Sequence, residues 1–316
     1  MKKTQCKFKT SIGGQALIEG VMMRGPHKVA LSVNTPSGIV TEVEDYVAPK
    51  EKHKIWGVPL IRGIVGFGSS MAVGVKALMR SADLAVEEDD EEPSKFDKWL
   101  SKHFSKKTVD GFITTFALVL GILLPIALFF LLPSFLAGLL GRWIGTGIWR
   151  SLVEGAIRIV IFIGYLALMS CMKDMRRTFA YHGAEHKSIY CYEAGLDLTV
   201  ENVRPQPRQH PRCGTSFLFV VIIISILVTS LLGFANISNT FARAGLRLAL
   251  LPVIVAISYE LNMWVGRHDN RLSRILRAPG MWLQNLTTKE PDDAMIETAL
   301  ASLKAVLPER EGEDRW

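Results

Sequence analysis

Cysteine is scarce in this sequence. Only four cysteines occur among 316 residues, and Cys6, Cys171, Cys191 and Cys213 form no paired framework. Small secreted domains that depend on disulfides carry a much denser set. The scatter therefore argues against that class and indicates a reducing environment. The lysine-rich start, MKKTQCKFKT, has no apolar run after it, so we expect no cleavable signal peptide.

Charge is absent from one long stretch of the chain. Phe112 to Leu140 contains no Asp, Glu, Lys or Arg, and it exceeds the roughly 20 residues that a helix needs to span a bilayer. Three more apolar runs cover about Ser151 to Met172, Ser216 to Ala235 and Leu248 to Val265. The sequence therefore predicts an all-α polytopic membrane protein with about four transmembrane helices.

Positive charge is unevenly distributed around these runs. The net charge is +7, yet the loops after the first and third runs carry only Arg142, Arg150, Arg243 and Arg247. Most other flanking Lys and Arg lie on the opposite side, which the positive-inside rule assigns to the cytoplasm. We expect a multi-pass protein of the bacterial inner (cytoplasmic) membrane with both termini cytoplasmic. Because topology accounts for the charge, we expect no binding of nucleic acid.

The N-terminal part is predicted to contain a small β element. Val29 to Tyr46 alternates apolar and polar residues around a turn at Pro36 to Gly38, which is typical of a β-hairpin. Ile12 to Pro26 is punctuated by glycines and is predicted to form a turn-rich segment or short strands. It lacks the Gly-Lys-Ser/Thr of a phosphate-binding loop.

Helices outside the four runs are also predicted. Ile55 to Val86 is apolar and glycine-rich, but Arg62 would be costly in the bilayer centre. We therefore favour a re-entrant or interface-lying helix here, with a fifth span as the alternative. Phe96 to Phe104 has the pattern of an amphipathic helix on the membrane surface. A C-terminal helix is predicted to open around Asp293, and the charged tail from Glu309 is expected to be disordered.

These features divide the chain into four regions. Residues 1–54 hold the β-hairpin, and residues 55–108 hold the glycine-rich helix, an acidic linker and the amphipathic helix. Residues 109–266 form the transmembrane region, with the cytoplasmic loop 173–214. Residues 267–316 form a cytoplasmic helical region.

The strongest chemical signal lies in that loop, in the segment His182-Gly183-Ala184-Glu185-His186. Residues three and four apart lie on one helical face. The spacing H-x-x-E-H is that of the inverzincin motif. This interpretation makes His182 and His186 ligands of a divalent metal, most simply zinc, and makes Glu185 the catalytic general base.

Further ligands must come from elsewhere in the chain. His210 and Cys213 are three residues apart at the mouth of the third run, and both side chains are good zinc ligands. Glu260 lies inside the fourth run, where an ionisable group is a functional candidate. The alternatives are a simply buried Cys213, a His210 that caps a helix or contacts a lipid head group, and a Glu260 paired with an arginine or protonated. We expect His210, Cys213 or Glu260 to complete the site.

Five segments together resemble the bacterial YqhQ family of integral membrane proteins. They read IGGQALIEGVMMRGP, YHGAEHKSI, HPRCGTSFL, SYELN and LTTKEPDDAMIETAL. Members are described as predicted metal-dependent enzymes. The resemblance implies the same candidates, His182, Glu185, His186, His210 and Cys213, and it implies no substrate.

Three functions remain open at this point. The first is a metal-dependent hydrolase at the cytoplasmic membrane interface, acting on a membrane-associated or lipid-linked substrate. The second is an oligomeric transporter or channel lined by Glu260, Glu154 and Arg158. The third is a scaffold with a closed, structural metal site. Membrane lipid is the expected partner, and the glycine-rich helix makes a homo-oligomer the second expected partner.

Overall fold

The computed structural model describes residues 6–85, 111, 115–116, 119–121, 123–140, 143, 148–231, 240–310 and 312–315. The chain divides into two compact units. The first comprises residues 1–86, 163–225 and 250–316, and the second comprises residues 87–162 and 226–249. The helix predicted at Phe96 to Phe104 lies outside the described residues.

Four antiparallel strands form a sheet in the first unit, in the order β1-β2-β3-β4. They are β1 (Gly13–Leu17), β2 (Gly20–Arg24), β3 (Lys28–Thr35) and β4 (Gly38–Asp45). The predicted hairpin is confirmed as β3 and β4, with Thr35 opposite Gly38. The glycine-rich segment before it adds β1 and β2, so the β element has four strands rather than two.

The helices carry most of the chain. They are α1 (Pro49–Lys52), α2 (Ile61–Ala85), α3 (Leu132–Leu139), α4 (Ile148–Cys171), α5 (Lys173–Glu193), α6 (Val200–Val203), α7 (Gly214–Leu231), α8 (Thr240–Arg267), α9 (Arg271–Thr287) and α10 (Asp293–Ala305). A 3-10 turn covers Lys54–Gly57, and a π-helical turn, Ala127–Leu131, precedes α3. The predicted C-terminal helix is confirmed as α10, whose N-cap Asp292 accepts a hydrogen bond from the Met295 N–H at 2.9 Å.

Five helical segments within the described parts of the chain are long and apolar enough to cross a membrane. They are α2, Val119–Leu139, α4, α7 and Leu248–Arg267 of α8. The prediction of a mostly helical membrane protein is therefore confirmed by length and composition. The fifth segment is α2, for which the sequence analysis favoured an interface position.

The main core of the first unit joins parts of the chain that are distant in sequence. Buried apolar residues from β2 and β3 pack with residues of α5 and α10. On α10, Ile296, Ala299 and Leu303 have no exposed surface, as expected for the inner stripe of an amphipathic helix. The sheet, α5 and α10 thus form one body, and α5 is the helix that carries the candidate site.

The end of the chain corrects one expectation. The tail from Glu309 was expected to be disordered, but Asp314 is 1 % exposed. Its carboxylate accepts a hydrogen bond from the Thr10 hydroxyl, and Thr10 also forms a β-bridge with Arg315. The charged composition of the tail predicted disorder, but Asp314 is ordered because it pairs with a buried polar residue near the start of the chain.

The second unit contains an ion pair on α4. The Arg158 guanidinium lies 3.6 Å from the Glu154 carboxylate, and both side chains are buried. The Ser134 hydroxyl donates to Glu154 at 2.6 Å, and Arg158 donates to the Phe129 carbonyl at 2.8 Å. Because each charge is compensated, Glu154 and Arg158 form one buried ion pair. They are not spaced along a transport path, as the transporter hypothesis proposed.

Candidate metal centre

Helix α5 places the three motif residues on one buried face. His182, Glu185 and His186 are spaced three and four apart, and the rings of the two histidines lie 4.4 Å apart between centroids. The turn of α5 at Gly183 lies directly against the chain at Lys289, whose carbonyl oxygen would collide with any Cβ at position 183. The close approach that this glycine permits brings the end of α9 against the motif.

Backbone carbonyls fix the orientation of both imidazoles. The Nδ1 atom of His182 lies 2.8 Å from the carbonyl oxygen of Thr287, and the Nδ1 atom of His186 lies 2.5 Å from that of Arg208. A carbonyl oxygen can only accept, so each Nδ1 carries the proton and donates it. Each Nε2 is thereby turned toward the interior of the site. Metal-binding histidines are commonly oriented in this way.

Cys213 completes a group of three potential ligands. Its sulfur lies 3.1 Å from Nε2 of His182 and 3.2 Å from the hydroxyl of Thr215. One ligand atom each from His182, His186 and Cys213 lie within 4.8 Å of one another. The structure thus brings together three of the five ligands considered from the sequence.

Glu185 lies at the edge of this group. One carboxylate oxygen accepts a hydrogen bond from the Gly14 N–H at 3.0 Å, and the other lies 3.9 Å from Nε2 of His182. The Glu185 side chain is 6 % exposed, and burial raises the pKa of its carboxyl group. A carboxyl group with a raised pKa beside potential metal ligands has the position of a general base.

Cys213 and His182 stabilise each other as ions. Burial favours the neutral thiol, but the imidazoles of His182 and His186 lower the pKa of Cys213 well below its usual value. Burial likewise favours a neutral His182, but the Cys213 thiolate, with Glu185 and the Thr287 carbonyl, raises the pKa of His182 to about 9. Both shifts of pKa favour the thiolate, which is the form that binds metals.

Gln284 holds the segment that carries Cys213. Its side-chain amide accepts from the His210 N–H at 2.7 Å and donates to the His210 carbonyl at 2.8 Å. It also donates to Ser216 at 3.1 Å, beyond Cys213 in the chain. Gln284 is fully buried. These bonds fix the backbone on both sides of Cys213, so α9 positions the sulfur.

The ring of His210 lies 5.6 Å from that of His186, but its Nε2 contacts Glu193 and Arg212. Its Nε2 lies 3.6 Å from the Glu193 carboxylate, which also accepts bonds from the Thr10 N–H and from Arg212. Burial, the largest influence, lowers the pKa of His210 to about 4. The structure therefore places a neutral His210 in a buried network with Glu193, and not among the clustered ligands.

Glu260 is also outside the cluster. Its carboxylate accepts two bonds from the Arg62 guanidinium, at 2.7 and 2.5 Å, and one from the Leu60 N–H at 3.2 Å. The structure thus agrees with the alternative in which an arginine pairs with Glu260. That arginine lies on α2, nearly two hundred residues earlier in the chain.

The donor set fits a zinc-type ion. Two imidazole nitrogens and one thiolate match the nitrogen and sulfur ligands that zinc prefers. Structural zinc sites are closed by four protein ligands, whereas catalytic sites use three and keep a fourth position open. His182, His186 and Cys213 offer three ligand atoms, the number that catalytic zinc sites use, with Glu185 beside them.

Several supporting residues escaped the sequence analysis. The carbonyl groups of Thr287 and Arg208 act through the backbone, which every residue carries, so no residue type identifies them. Gln284 lies in a helix whose polar residues look like an ordinary surface. Gly14 lies in the segment that was predicted to be turn-rich or to form short strands. A Cβ there would lie 2.6 Å from the Met22 carbonyl oxygen and 2.9 Å from Cγ of Glu185.

Comparison with known proteins places this arrangement in a family. The profile of a family described as a protein of unknown function, DUF1385, matches residues 58–309. The chain belongs to this family. The DUF1385 chain is also 33 % identical over 312 residues to the uncharacterized protein YqhQ of Bacillus subtilis (strain 168), covering 95 % of this chain and 93 % of that protein. No solved structure matches the chain.

These comparisons confirm the resemblance noted from the five sequence segments. The matched residues of the DUF1385 chain include the whole of α5, Cys213 and α9. Neither the family description nor the name of the Bacillus protein indicates an activity. The chemistry of the site therefore has to be argued from its geometry.

Proposed function

We propose that this membrane protein binds a zinc-type divalent ion through His182, His186 and Cys213 and hydrolyses a membrane-associated substrate. The observation that carries the proposal is the orientation of both imidazoles by backbone carbonyls, at 2.8 and 2.5 Å, toward the Cys213 sulfur. Bonds of this kind fix the ring orientation and tautomer of metal-binding histidines. A bound ion of this type supplies Lewis-acid catalysis.

The protein's own residues supply the proton chemistry. The Gly14 N–H holds one oxygen of Glu185, which leaves the second oxygen free to accept a proton from water. The Glu185 carboxylate can later return that proton to a leaving group. The Nδ1–H groups of His182 and His186 donate to backbone carbonyls, so neither histidine takes part in this proton transfer.

The sequence positions of the ligands favour a substrate at the membrane. Cys213 directly precedes the first residue of α7, and α5 begins two residues after the end of α4. Both ligand-bearing segments therefore continue directly from candidate spans. The positive-inside pattern would place the site at the cytoplasmic face of the inner membrane. A homo-oligomer stays a prediction from the glycine-rich helix.

Metal analysis of the purified full-length protein tests the binding site. We expect about one zinc or cobalt ion per chain, and a thiolate-to-metal charge-transfer band in the cobalt form. His182→Ala, His186→Ala and Cys213→Ser should each lose the ion. His210→Ala and Glu260→Gln should keep it, because neither residue is in the cluster. A folded wild-type protein that binds no ion would refute the proposal.

Substitution of Glu185 by Gln tests the catalytic role. We expect Glu185→Gln to keep the bound ion but to lose activity by about 100-fold or more, as is typical when a general base is removed. Activity can be measured with a long-chain acyl ester presented in detergent micelles or vesicles. Hydrolysis that persists in Glu185→Gln would contradict the assignment. A metal-loaded wild type inactive on esters, amides and phosphodiesters would favour the scaffold with a structural metal.

One distance favours a second candidate function. The 3.1 Å separation of Nε2 of His182 and the Cys213 sulfur is also that of a cysteine nucleophile and its base. In that case the thiolate would attack an acyl group with no metal involved. Chelation distinguishes the two. Removal of the ion should abolish the activity of a metal site, whereas a cysteine nucleophile should remain active until it is alkylated.

A further inference from the structure

Length and composition alone class α2 as a membrane span. It has 25 residues and a mean hydropathy of 1.2 in its most apolar window, which is the lowest value of the five candidate segments. The helix nevertheless carries Arg62, Lys76 and Arg80. Whether it crosses the bilayer decides on which side of the membrane the rest of the chain lies.

The shared core of the first unit restricts the number of crossings. The sheet, α5 and α10 pack into one body, and β4 exposes Glu44 and Asp45, so this body lies outside the hydrocarbon. All parts of this body lie on the same side of the membrane. The chain between any two of them must therefore cross the membrane an even number of times. Between α5 and α10 there are two candidates, α7 and α8, as required. Between the sheet and α5 there are three: α2, Val119–Leu139 and α4.

One of those three segments must therefore not cross. Residues 87–108 contain six consecutive acids and then a series of lysines, a composition unlike that of a transmembrane segment. Val119–Leu139 and α4 have mean hydropathies of 2.5 and 2.0. By composition, α2 is the segment that fails to cross.

The contacts of α2 agree with this assignment. Lys76 and Arg80 pair with Glu44 and Glu42 of β4 at 2.7 and 2.5 Å, and Ala77 is buried in a small core with β1, β2 and β3. From Gly74 onward the helix lies along the sheet. Only the 13 residues before Gly74 are left, and at 1.5 Å per residue they reach roughly 20 Å. That is short of the roughly 30 Å of bilayer hydrocarbon.

The first half of α2 lies near the ends of two candidate spans. Gly63 packs against Ala256 and Tyr259 of α8, and the Phe67 ring lies 5.9 Å from that of Phe217, three residues after the start of α7. Tyr259 is eight residues from the end of α8 at Arg267, about 12 Å along the helix axis. This depth is close to that of a helix lying at the boundary of head groups and acyl chains.

One face of α2 is apolar and exposed from Ile61 to Met79. Its buried residues, Gly63, Gly74, Ala77 and Ser81, face the sheet and α8. The exposed apolar stripe recurs at helical spacing and consists of Ile61, Ile64, Met71, Val75, Leu78 and Met79.

We propose that α2 does not cross the membrane but lies along its surface, with the exposed apolar stripe in contact with lipid. The occupant of the stripe is the bilayer itself, because α2 packs at one end on helices that enter it. The protein then has four crossings, and the sheet, α5 and α10 share one side.

Chemical labelling of introduced cysteines tests the topology. The exposed Cys6 and Cys171 are replaced by serine in the full-length protein, and Cys191 and Cys213 stay buried. Single cysteines are then introduced at three positions. They replace Glu51, which precedes α2, Asp83, which lies near the end of α2, and Glu297 on α10. Trp143→Cys, between Val119–Leu139 and α4, is the reference for the opposite side.

A membrane-impermeant maleimide is applied to intact cells and to sealed inside-out vesicles. We expect positions 51, 83 and 297 to react from the same side, and position 143 to react from the other. Reaction of positions 51 and 83 from opposite sides would show that α2 crosses, and would overturn the proposal.

A spin label tests the lipid contact separately. A label at Met71, in the stripe, should collide more often with oxygen, which concentrates in lipid, than with a water-soluble nickel complex. A label at Asp83, on a polar part of the same helix, should show the reverse. Preference for nickel at Met71 would place the stripe in water, and protection from both reagents would place it against protein. Either result overturns lipid as the occupant.

Discussion

At the scale of single residues, the candidate site depends on groups that carry no distinctive side-chain chemistry. Two carbonyl oxygens orient the imidazoles, and one backbone N–H holds the proposed base. The motif residues His182, Glu185 and His186 could be predicted from their spacing. Their orienting partners could not, because a backbone group is recognised only once the chain is folded.

Gly14 offers a direct test of how closely Glu185 must be held. A methyl group at this position would press against Cγ of Glu185 and the Met22 carbonyl. We expect Gly14→Ala to keep the metal and to lower activity by about 100-fold, since a displacement of about 1 Å is enough for such a loss. The measurement is kcat on the ester substrate, with metal content determined in parallel.

Gly13→Ala is the matched control for this substitution. A Cβ at Gly13 meets no atom within 4 Å, and the residue lies in the same strand. It should retain wild-type activity. Equal losses in both variants would show that β1 tolerates no side chain there, and would remove the support for a specific role of Gly14.

Two of the candidate ligands predicted from the sequence lie outside the cluster for a physical reason. His210 was a candidate because imidazole is a good zinc ligand, and Glu260 because an ionisable group inside a span is a functional candidate. Each has a partner within the protein instead, Glu193 for His210 and Arg62 for Glu260. The sequence shows that a partner is required, and only the folded chain shows which one is used.

At the scale of elements, α10 supplies a large part of the core beneath the candidate site. Its apolar stripe was predictable from the 3.6-residue period, and its start was predictable from the proline and acids before it. The two additional strands were harder to recognise, because the glycines of β1 and β2 resemble those of a loop. They permit close approach: a Cβ at Gly20 would collide with the Ser32 carbonyl.

Truncation of Ile296 measures how much this helix contributes to stability. The side chain is completely buried between α5 and the sheet. We expect Ile296→Ala to lower the free energy of unfolding by about 2–5 kcal/mol through lost burial and a residual cavity. The comparison is Glu297→Ala on the exposed face, for which a change within about 0.5 kcal/mol is expected.

Thermal unfolding in detergent, monitored through the bound metal, provides the measurement. The ion should be released at a lower temperature in Ile296→Ala than in the wild type, because α10 packs against the helix that bears the ligands. Unfolding of α10 with no effect on metal release would mean that the site is held independently of this core.

At the scale of the whole molecule, helices far apart in sequence are joined by ion pairs. Arg62 of α2 and Glu260 of α8 are the clearest case, with side chains that are 32 and 25 % exposed. The membrane character and the approximate number of apolar runs could be predicted from hydropathy. The pairing of these two charges could not, since it depends on how α2 packs.

Exchange of the two charges tests the pairing. Arg62→Glu alone should reduce the yield of folded protein, because it places two carboxylates together in a poorly hydrated environment. The double variant Arg62→Glu with Glu260→Arg should recover part of the yield. Size-exclusion chromatography of the solubilised protein measures it. An absence of recovery would indicate that the geometry at Arg62, rather than its charge, is required.

The core that unites the sheet, α5 and α10 also determines when the molecule can be completed during translation. The strands leave the ribosome first, yet the helix that covers them is made only after more than two hundred further residues, including every membrane insertion step. Until then the apolar faces of β2, β3 and α5 lack their cover, and such surfaces are prone to aggregate. A nascent chain stalled before Asp293 should therefore depend on chaperones, and should release them once α10 has been synthesised.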